Sequence, residues 1–298
     1  MTLEQLRIFV AVAEREHLTR GAEALNLTQS AVSTAISTLE HRYGVKLFDR
    51  IGRRIVLTEA GKLFLTEARN VVAQARVAEQ TLFEVAGALR GELRLAASQT
   101  VGNYWIAERI MRFRARHPGV TVSLSIGNTE QALERIVAGQ ADLAIVEGEI
   151  DDHRISVSQL NGDQAVLVLP VDFATETIAY PDDLDWASLR FVARERGSGT
   201  RAVLETVLDT KGLKLDRGNL VMELPSNEAI CHAVEAGAGA ALLSFLVVEK
   251  SCAAGRLVCR DIGLKPRPFY LLRLKERSAA RSETLFEAIC KSDIAALH

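Results

Sequence analysis

No stretch of this chain approaches the ~20 consecutive apolar residues that cross a bilayer, so no membrane-spanning helix is expected. The opening segment, MTLEQLRIFVAVAERE, scatters acids among its apolar residues, so no secretory signal is expected there and the cytoplasm is the expected compartment. Cysteine is scarce. Cys231, Cys252, Cys259 and Cys290 show no CxxC spacing and sit in apolar or mixed segments, which reads as buried thiols in a reducing cytosol. A redox switch or a metal site is the lesser alternative. Catalytic punctuation is missing as well: the six histidines are scattered, with no HExxH pair, no Walker-type loop and no GxSxG. No catalytic residue, metal or cofactor is therefore assigned. Nor is there an excess of one charge, because 36 basic residues face 38 acidic ones for a net charge of −2. Any surface that attracts nucleic acid must then be local.

One such surface is present. Arg42, Lys46, Arg50, Arg53 and Arg54 stand against the single acid Asp49. Just upstream, HLTRGAEALNLTQSAVSTAISTLE reads as two short helices separated by a polar turn. On the second, Val32, Ile36 and Leu39 share one face, while Ser30, Ser33, Thr34 and Ser37 collect on the other. Asn26 to Gln29 supply turn and N-cap chemistry through Asn26 and Thr28. A helix with one narrow apolar stripe and a bare hydroxyl face suits a DNA major groove. The alternative is a solvated surface helix, but such helices usually carry Glu and Lys, since Ser and Thr are poorer helix formers. The candidate DNA contacts are Thr28, Gln29, Ser30, Ser33, Thr34, Ser37, Arg53 and Arg54.

Around this core, Leu6, Phe9, Val10 and Ala13 mark a first amphipathic helix, and a second is expected around Thr19–Leu25. Tyr43-Gly44 ends the hydroxyl-faced helix, and Ile51-Gly52-Arg53-Arg54 reads as a hairpin tip whose arginines suit phosphates or a minor groove. The stretch Leu3–Gly61 resembles the winged helix-turn-helix domain of LysR-type transcriptional regulators. The resemblance is carried by Leu6-Arg7-Ile8-Phe9, by Leu18-Thr19-Arg20 with Ala22 and Ala24-Leu25, and by Thr28-Gln29-Ser30-Ala31-Val32-Ser33. It continues through Ile36 with Leu39-Glu40, Gly44-Val45-Lys46-Leu47-Phe48-Asp49-Arg50 and Leu57-Thr58-Glu59-Ala60-Gly61. Ser30 departs from the proline, and Thr34 from the arginine, that the family often has there, which bears on base preference.

From Thr58 onward, Phe64, Ala68, Val71, Ala75, Ala78, Leu82, Val85 and Leu89 recur in steps of four and three. That is a heptad seam on one long helix, and it calls for a partner helix; a buried linker helix is the alternative. The family resemblance likewise implies a linker helix that pairs two chains, with two reading helices addressing two half-sites.

After Gly91 the pattern becomes strand-like runs alternating with helical ones, from Leu93–Ala97 to the strand Phe269–Leu274 and the helix Glu283–Ala288. This predicts mostly parallel sheets covered by helices. It resembles the two-lobed periplasmic-binding-protein-like effector domain of the same family, with crossings near Gly162 and Lys265. The expected class is α+β multidomain: a winged helix-turn-helix over 1–58, a dimerising linker helix over 59–90 and an effector domain over 91–298. Lobe I is expected over 91–162 and 266–298, and lobe II over 163–265.

Open sheets bind ligands at strand carboxyl ends, where helix N-termini point. Four such junctions carry hydroxyl or amide residues: Ser98-Gln99-Thr100, Asn128-Thr129, Ser198-Gly199-Thr200 and Ser226-Asn227. Plain N-capping explains any single one. The glycines around Ser198 could form an anion nest, with Arg194, Arg196 and Arg201 either reaching a ligand or paired with Glu195 and Glu205. In the resemblance, SQTVGNY and RERGSGTR look most like members that sense small anions or acidic metabolites. The candidate effector contacts are Ser98, Gln99, Thr100, Asn128, Thr129, Ser198, Gly199 and Thr200. The expected partners are double-stranded DNA, a small anionic effector and further copies of the chain, as a dimer through the linker helix with a tetramer left open. A plain solute-binding protein and an enzyme are the competing classes, disfavoured by the DNA-binding head and by the missing catalytic motifs.

Overall fold

A computed structural model describes residues 1–51, 54–85, 89–148, 150–175 and 184–292. The chain divides into two compact units, one of residues 1–88 with 138–140, the other of residues 89–137 with 141–298. Among the described residues no helix is long and apolar enough to cross a membrane.

The first unit opens with α1 (Leu3–Ala13), set by a capping box in which Thr2 Oγ1 accepts from the Gln5 N–H and Gln5 Oε1 from the Thr2 N–H. α2 (Leu18–Ala24) starts at His17, and α3 (Gln29–Tyr43) starts at Thr28, whose hydroxyl accepts the Ala31 N–H at 3.3 Å. α3 ends at Gly44, where a φ of 65° favours glycine over any residue with a Cβ. The apolar stripe does what its spacing predicts: Val32 and Ile36 pack with Ile8, Val12, Ala22 and Ile55, and Leu39 packs with Leu6, Phe9, Ala13 and Leu47. A hairpin of β1 (Phe48–Ile51) and β2 (Arg54–Leu57) follows. Glu40 ties it to α3, because its buried carboxylate accepts from the Leu47 N–H at 2.8 Å, the Phe48 N–H at 3.2 Å and Lys46 Nζ at 2.8 Å.

The long helix is α4 (Glu59–Val85). Its Phe64, Leu65 and Ala68 join the α1 core, whereas Val71, Leu82 and Val85 are exposed. The last heptad position needs correcting. Leu89 lies outside α4 and packs against the core of the second unit, around Leu93 and Phe113.

The second unit has two α/β lobes. Lobe I comprises β3 (Gly91–Ser98), a π-helical turn at Val101–Trp105, α5 (Ile106–Arg116), β4 (Val120–Gly127), α6 (Thr129–Val137), β5 (Leu143–Glu147) and β6 (Ile155–Asp163). The chain then crosses into lobe II, with β7 (Ala165–Pro170), β8 (Phe191–Arg194), α7 (Gly199–Thr210), β9 (Leu220–Leu224), α8 (Asn227–Glu235), β10 (Ala241–Ser244), α9 (Phe245–Ala253) and β11 (Leu257–Arg260). It returns through β12 (Arg267–Leu274) and ends on α10 (Arg281–Ser292).

Lobe I is a five-stranded sheet in the order β4-β3-β5-β12-β6. β3 pairs in parallel with β4 and β5, as βαβ crossovers require, but β12 runs antiparallel to both β5 and β6. Lobe II has β10-β7-β11, wholly antiparallel, beside the parallel pair β8-β9. The expectation of mostly parallel sheets therefore fails where the chain passes between lobes. Each crossing delivers a strand directly, without a helix to reverse it. Leu95 and Ala97 fill one face of lobe I with Phe113, Phe269 and Phe286, and Ala96 fills the other with Ile136, Ala144 and Val146.

The cysteines also differ from expectation. Cys231 and Cys290 are buried thiols outside any disulfide, but Cys252 and Cys259 form one. The tight turn between α9 and β11 brings their Cα atoms to 6.2 Å, within disulfide range.

Candidate functional site

Two surfaces carry the candidate residues. On the first unit, α3 turns Thr28, Gln29, Ser30, Thr34 and Ser37 to solvent, with Ser33 half-buried at the edge of its stripe. An open depression is lined by Ser33, Thr34, Ser37, Thr38, His41 and Arg42. Thr28 and Ser30 hydroxyls lie 3.1 Å apart, and Thr19 Oγ1 donates to Gln29 Oε1 at 3.3 Å, so the helix start is braced against α2. Arg42 and Arg50 are exposed, and Lys46 is exposed beyond its bond to Glu40. Arg53 lies outside the described residues; Arg54 opens β2. Glu40 was read only as part of the family resemblance and not as a tie to the hairpin, since one acid at the end of an apolar stripe gives no signal of such a role. Its burial opposes charge, but Lys46 and the Leu47 and Phe48 N–H groups outweigh that and hold its carboxyl below the ordinary value.

On the second unit, the four strand-to-helix junctions meet along the seam between the lobes. Gln99 donates to the Pro225 carbonyl at 2.7 Å and accepts from the Asn227 N–H at 3.0 Å. Asn227 Nδ2 donates to Thr100 Oγ1 at 3.0 Å, and Asn227 Oδ1 accepts from Arg194 Nη1 at 2.7 Å. Arg194 also grips Glu195 through Nε and Nη2, both at 2.8 Å, and Glu195 Oε1 accepts from Asn128 Nδ2 at 3.0 Å. These residues form one polar chain across the seam. A second tie runs from Asn103 and Tyr104, which both donate to Glu228 at 3.0 Å. Burial opposes charge on Glu195 and Glu228, yet the donors around each outweigh it and hold both carboxyls below their ordinary range.

Glu147, at the carboxyl end of β5, is the centre of a third group. Its carbonyl accepts from Thr129 Oγ1 at 2.8 Å, and its Oε2 accepts from Thr200 Oγ1 at 3.3 Å. Gly199 packs so closely that a Cβ there would sit 2.5 Å from that carbonyl. Arg267 lies beside it, with Nη1 3.7 Å from Glu147 Oε2, and donates to both oxygens of Asp163. Burial disfavours the Arg267 charge, but the Glu147 and Asp163 carboxylates outweigh that and push its pKa above the ordinary value.

The junction residues are thus brought together. Ser98, Thr100, Asn128, Thr129, Ser198 and Thr200 are all buried, and Ser98 Oγ has no hydrogen-bond partner. The arginines resolve toward pairing: Arg194 with Glu195, and Arg201 with Glu205 and Glu223, while Arg196 is exposed. Glu147, Asp163 and Arg267 were missed. The available signal was position, because an acid ending the buried run Leu143–Val146 stands at the ligand-facing end of a strand.

Comparison with known proteins matches the head and the second unit separately. Residues 3–62 match the bacterial regulatory helix-turn-helix protein, lysR family, and residues 86–292 match the LysR substrate binding domain. The RuBisCO operon transcriptional regulator of Allochromatium vinosum is 31% identical over 300 residues, covering 100% of this chain and 98% of that protein. A probable RuBisCO transcriptional regulator of Cyanophora paradoxa is 35% identical over 259 residues, covering 86% of this chain and 80% of its own length. A full-length OxyR variant from Pseudomonas aeruginosa has the same fold at a TM-score of 0.73 and 21% identity, covering 97% of this chain and 93% of that one. CbnR complexed with its target DNA gives 0.67 and 22%, covering 97% and 99%. The chain belongs to the LysR family: it is a DNA-binding transcriptional regulator, not an enzyme, with an effector-binding domain behind its helix-turn-helix head.

Proposed function

We propose that α3 and the β1–β2 hairpin read an operator, that α4 pairs two chains, and that a small anion or carboxylate bound at the seam between the lobes sets the regulatory state. Thr28, Gln29, Ser30, Ser33, Thr34 and Ser37 face the major groove in this reading, with Arg53 and Arg54 on the flanking phosphates or minor groove. The bare hydroxyl face of α3 supports the first part. The exposure of Val71, Leu82 and Val85 on a helix of 27 residues supports the second.

The observation that carries the effector site is the convergence of buried hydroxyl and amide groups from four strand-to-helix junctions, tied to one another across the two lobes. Such groups would orient an acid group, assisted by the positive ends of α7 and α8. Ser98 Oγ and Arg267 Nη1 are buried donors with no hydrogen-bond partner, and they supply contacts that Arg194 and Arg201, already paired, do not. The ligand acts because it binds one arrangement of the lobes better than another, which shifts the spacing of the DNA-binding pairs.

The test is a thermal-shift titration of the full-length chain against sulfate, phosphate and short carboxylates, repeated in Thr200→Ala. A ligand that raises the melting temperature of the wild type and does so at least several-fold less tightly in Thr200→Ala, with operator affinity unchanged, supports the site. Identical titrations in both proteins refute it.

A further inference from the structure

We propose that the effector of this chain carries a protonated amine beside its acid group, as an amino acid does, and that Glu147 receives the amine while Arg267 receives the acid. This rests on the effector reading above and narrows its ligand class.

Glu147 is 2% exposed and ends the fully buried strand β5, yet its Oε1 has no hydrogen-bond partner. Its other oxygen takes the Thr200 hydroxyl at 3.3 Å, a weak contact for a buried carboxylate. Arg267 shows the complementary pattern: Nε and Nη2 are held by Asp163, while the buried Nη1 has no hydrogen-bond partner and stands 3.7 Å from Glu147 Oε2. That separation is an ion pair but not a hydrogen bond. An unpartnered acceptor, Oε1, and an unpartnered donor, Nη1, therefore belong to two side chains whose nearest approach, Nη1 to Oε2, is 3.7 Å. A buried polar group left unsatisfied costs free energy, so each calls for a partner, and a ligand at the seam supplies one.

The charge balance points the same way. One guanidinium, Arg267, faces two carboxylates, Glu147 and Asp163, so the cluster holds an excess negative charge. A simple dianion entering here would be repelled by Glu147. A zwitterion satisfies both groups: its ammonium neutralises the excess and donates to Oε1, and its carboxylate accepts from Nη1. An amine and an acid on one carbon match two binding groups held this close together.

The experiment uses full-length protein and thermal-shift titration with each common L-amino acid, the 2-hydroxy acid bearing the same side chain, and sodium sulfate. One class of amino acid should raise the melting temperature, and its 2-hydroxy counterpart should bind at least tenfold more weakly, about the worth of one charge-assisted hydrogen bond. Glu147→Gln should weaken the amino acid at least tenfold and leave any binding of the hydroxy acid within about twofold. If a hydroxy acid or sulfate binds as tightly as the amino acid, the amine assignment is overturned while the anionic effector stands. If none of the three sets shifts the melting curve, both fall. Equal weakening of amino acid and hydroxy acid in Glu147→Gln would overturn the pairing of Glu147 with the amine; the wild-type comparison stands even should that variant fail to fold.

Discussion

Replacing Glu40 with alanine should detach the hairpin from α3. Its carboxylate accepts the Leu47 and Phe48 N–H groups at 2.8 and 3.2 Å, and Lys46 Nζ at 2.8 Å. Each N–H bond to a charged, largely buried acceptor is worth ~1.5 kcal/mol net, so the two together give about 3 kcal/mol. The Lys46 side chain is 74% exposed, so its ion pair adds under ~0.5 kcal/mol. For a unit of this size, a loss of that order lowers the melting temperature by ~12–24 °C. Glu40→Gln keeps an oxygen for the two N–H groups but loses the charge, and should cost ~1 kcal/mol. Because the two units need not melt together, the direct assay is hydrogen exchange at the Leu47 and Phe48 amides rather than a global melt. Protection there should fall by about two orders of magnitude in Glu40→Ala, following the loss of ~3 kcal/mol, and about fivefold in Glu40→Gln. Operator affinity should fall with it, since the hairpin no longer holds its place beside α3. Unchanged exchange at both amides in Glu40→Ala would refute the reasoning.

Ser37→Glu puts a carboxylate on the exposed face of α3 and should abolish operator binding in a gel shift while the sedimentation behaviour stays that of the wild type; retained affinity removes that face from the interface. Leu82→Glu, at a position 72% exposed on α4, should lower the association state in sedimentation equilibrium; an unaltered mass would exclude this stretch from chain pairing. Acid should loosen the seam between the lobes. Glu195 and Glu228 sit below the ordinary 4.5 when folded, so their contribution is complete above that value and is lost as pH falls through the lower folded value. Melting curves of the full chain should show this loss below about pH 4.5, and Glu228→Gln should flatten it; an equally steep decline in that variant would place the acid sensitivity elsewhere.

The head was legible because its signals are local. Val32, Ile36 and Leu39 fall on one side of one helix, and Thr28 and Gly44 bound it with their own backbone chemistry. The βαβ part of lobe I was legible for the same reason: β3, β4 and β5 are short apolar runs separated by helical periods. β6 and β11 were not, because their burial is patchy and their partners, β12 and β7, lie far away in sequence. α9 was hidden by Ala240–Leu243 running directly into Phe245–Val248, where one apolar stretch gives no hint that Ser244 caps a helix. At the site, hydroxyls at helix starts could be found from spacing, but which arginine keeps an unpaired N–H could not. Arg267 was overlooked, and Arg194, Arg196 and Arg201 were left open between ligand and pairing, because pairing is decided by residues such as Glu195, Asn227 and Asp163, assembled only by the fold.

The polar chain across the seam has a consequence for sensing. Gln99, Thr100, Asn128 and Asn227 already hold good partners on the opposite lobe without any ligand. A newcomer that separates them gains only the difference between its own bonds and those it displaces. Its apparent affinity is reduced by the fraction of molecules whose seam is open. In the proposed reading the seam is a set point: the tighter its internal bonds, the higher the effector concentration at which the switch responds. Variants that weaken one of these bonds without touching the ligand, Asn103→Ala at the Glu228 tie for instance, would make the same protein respond to a scarcer signal.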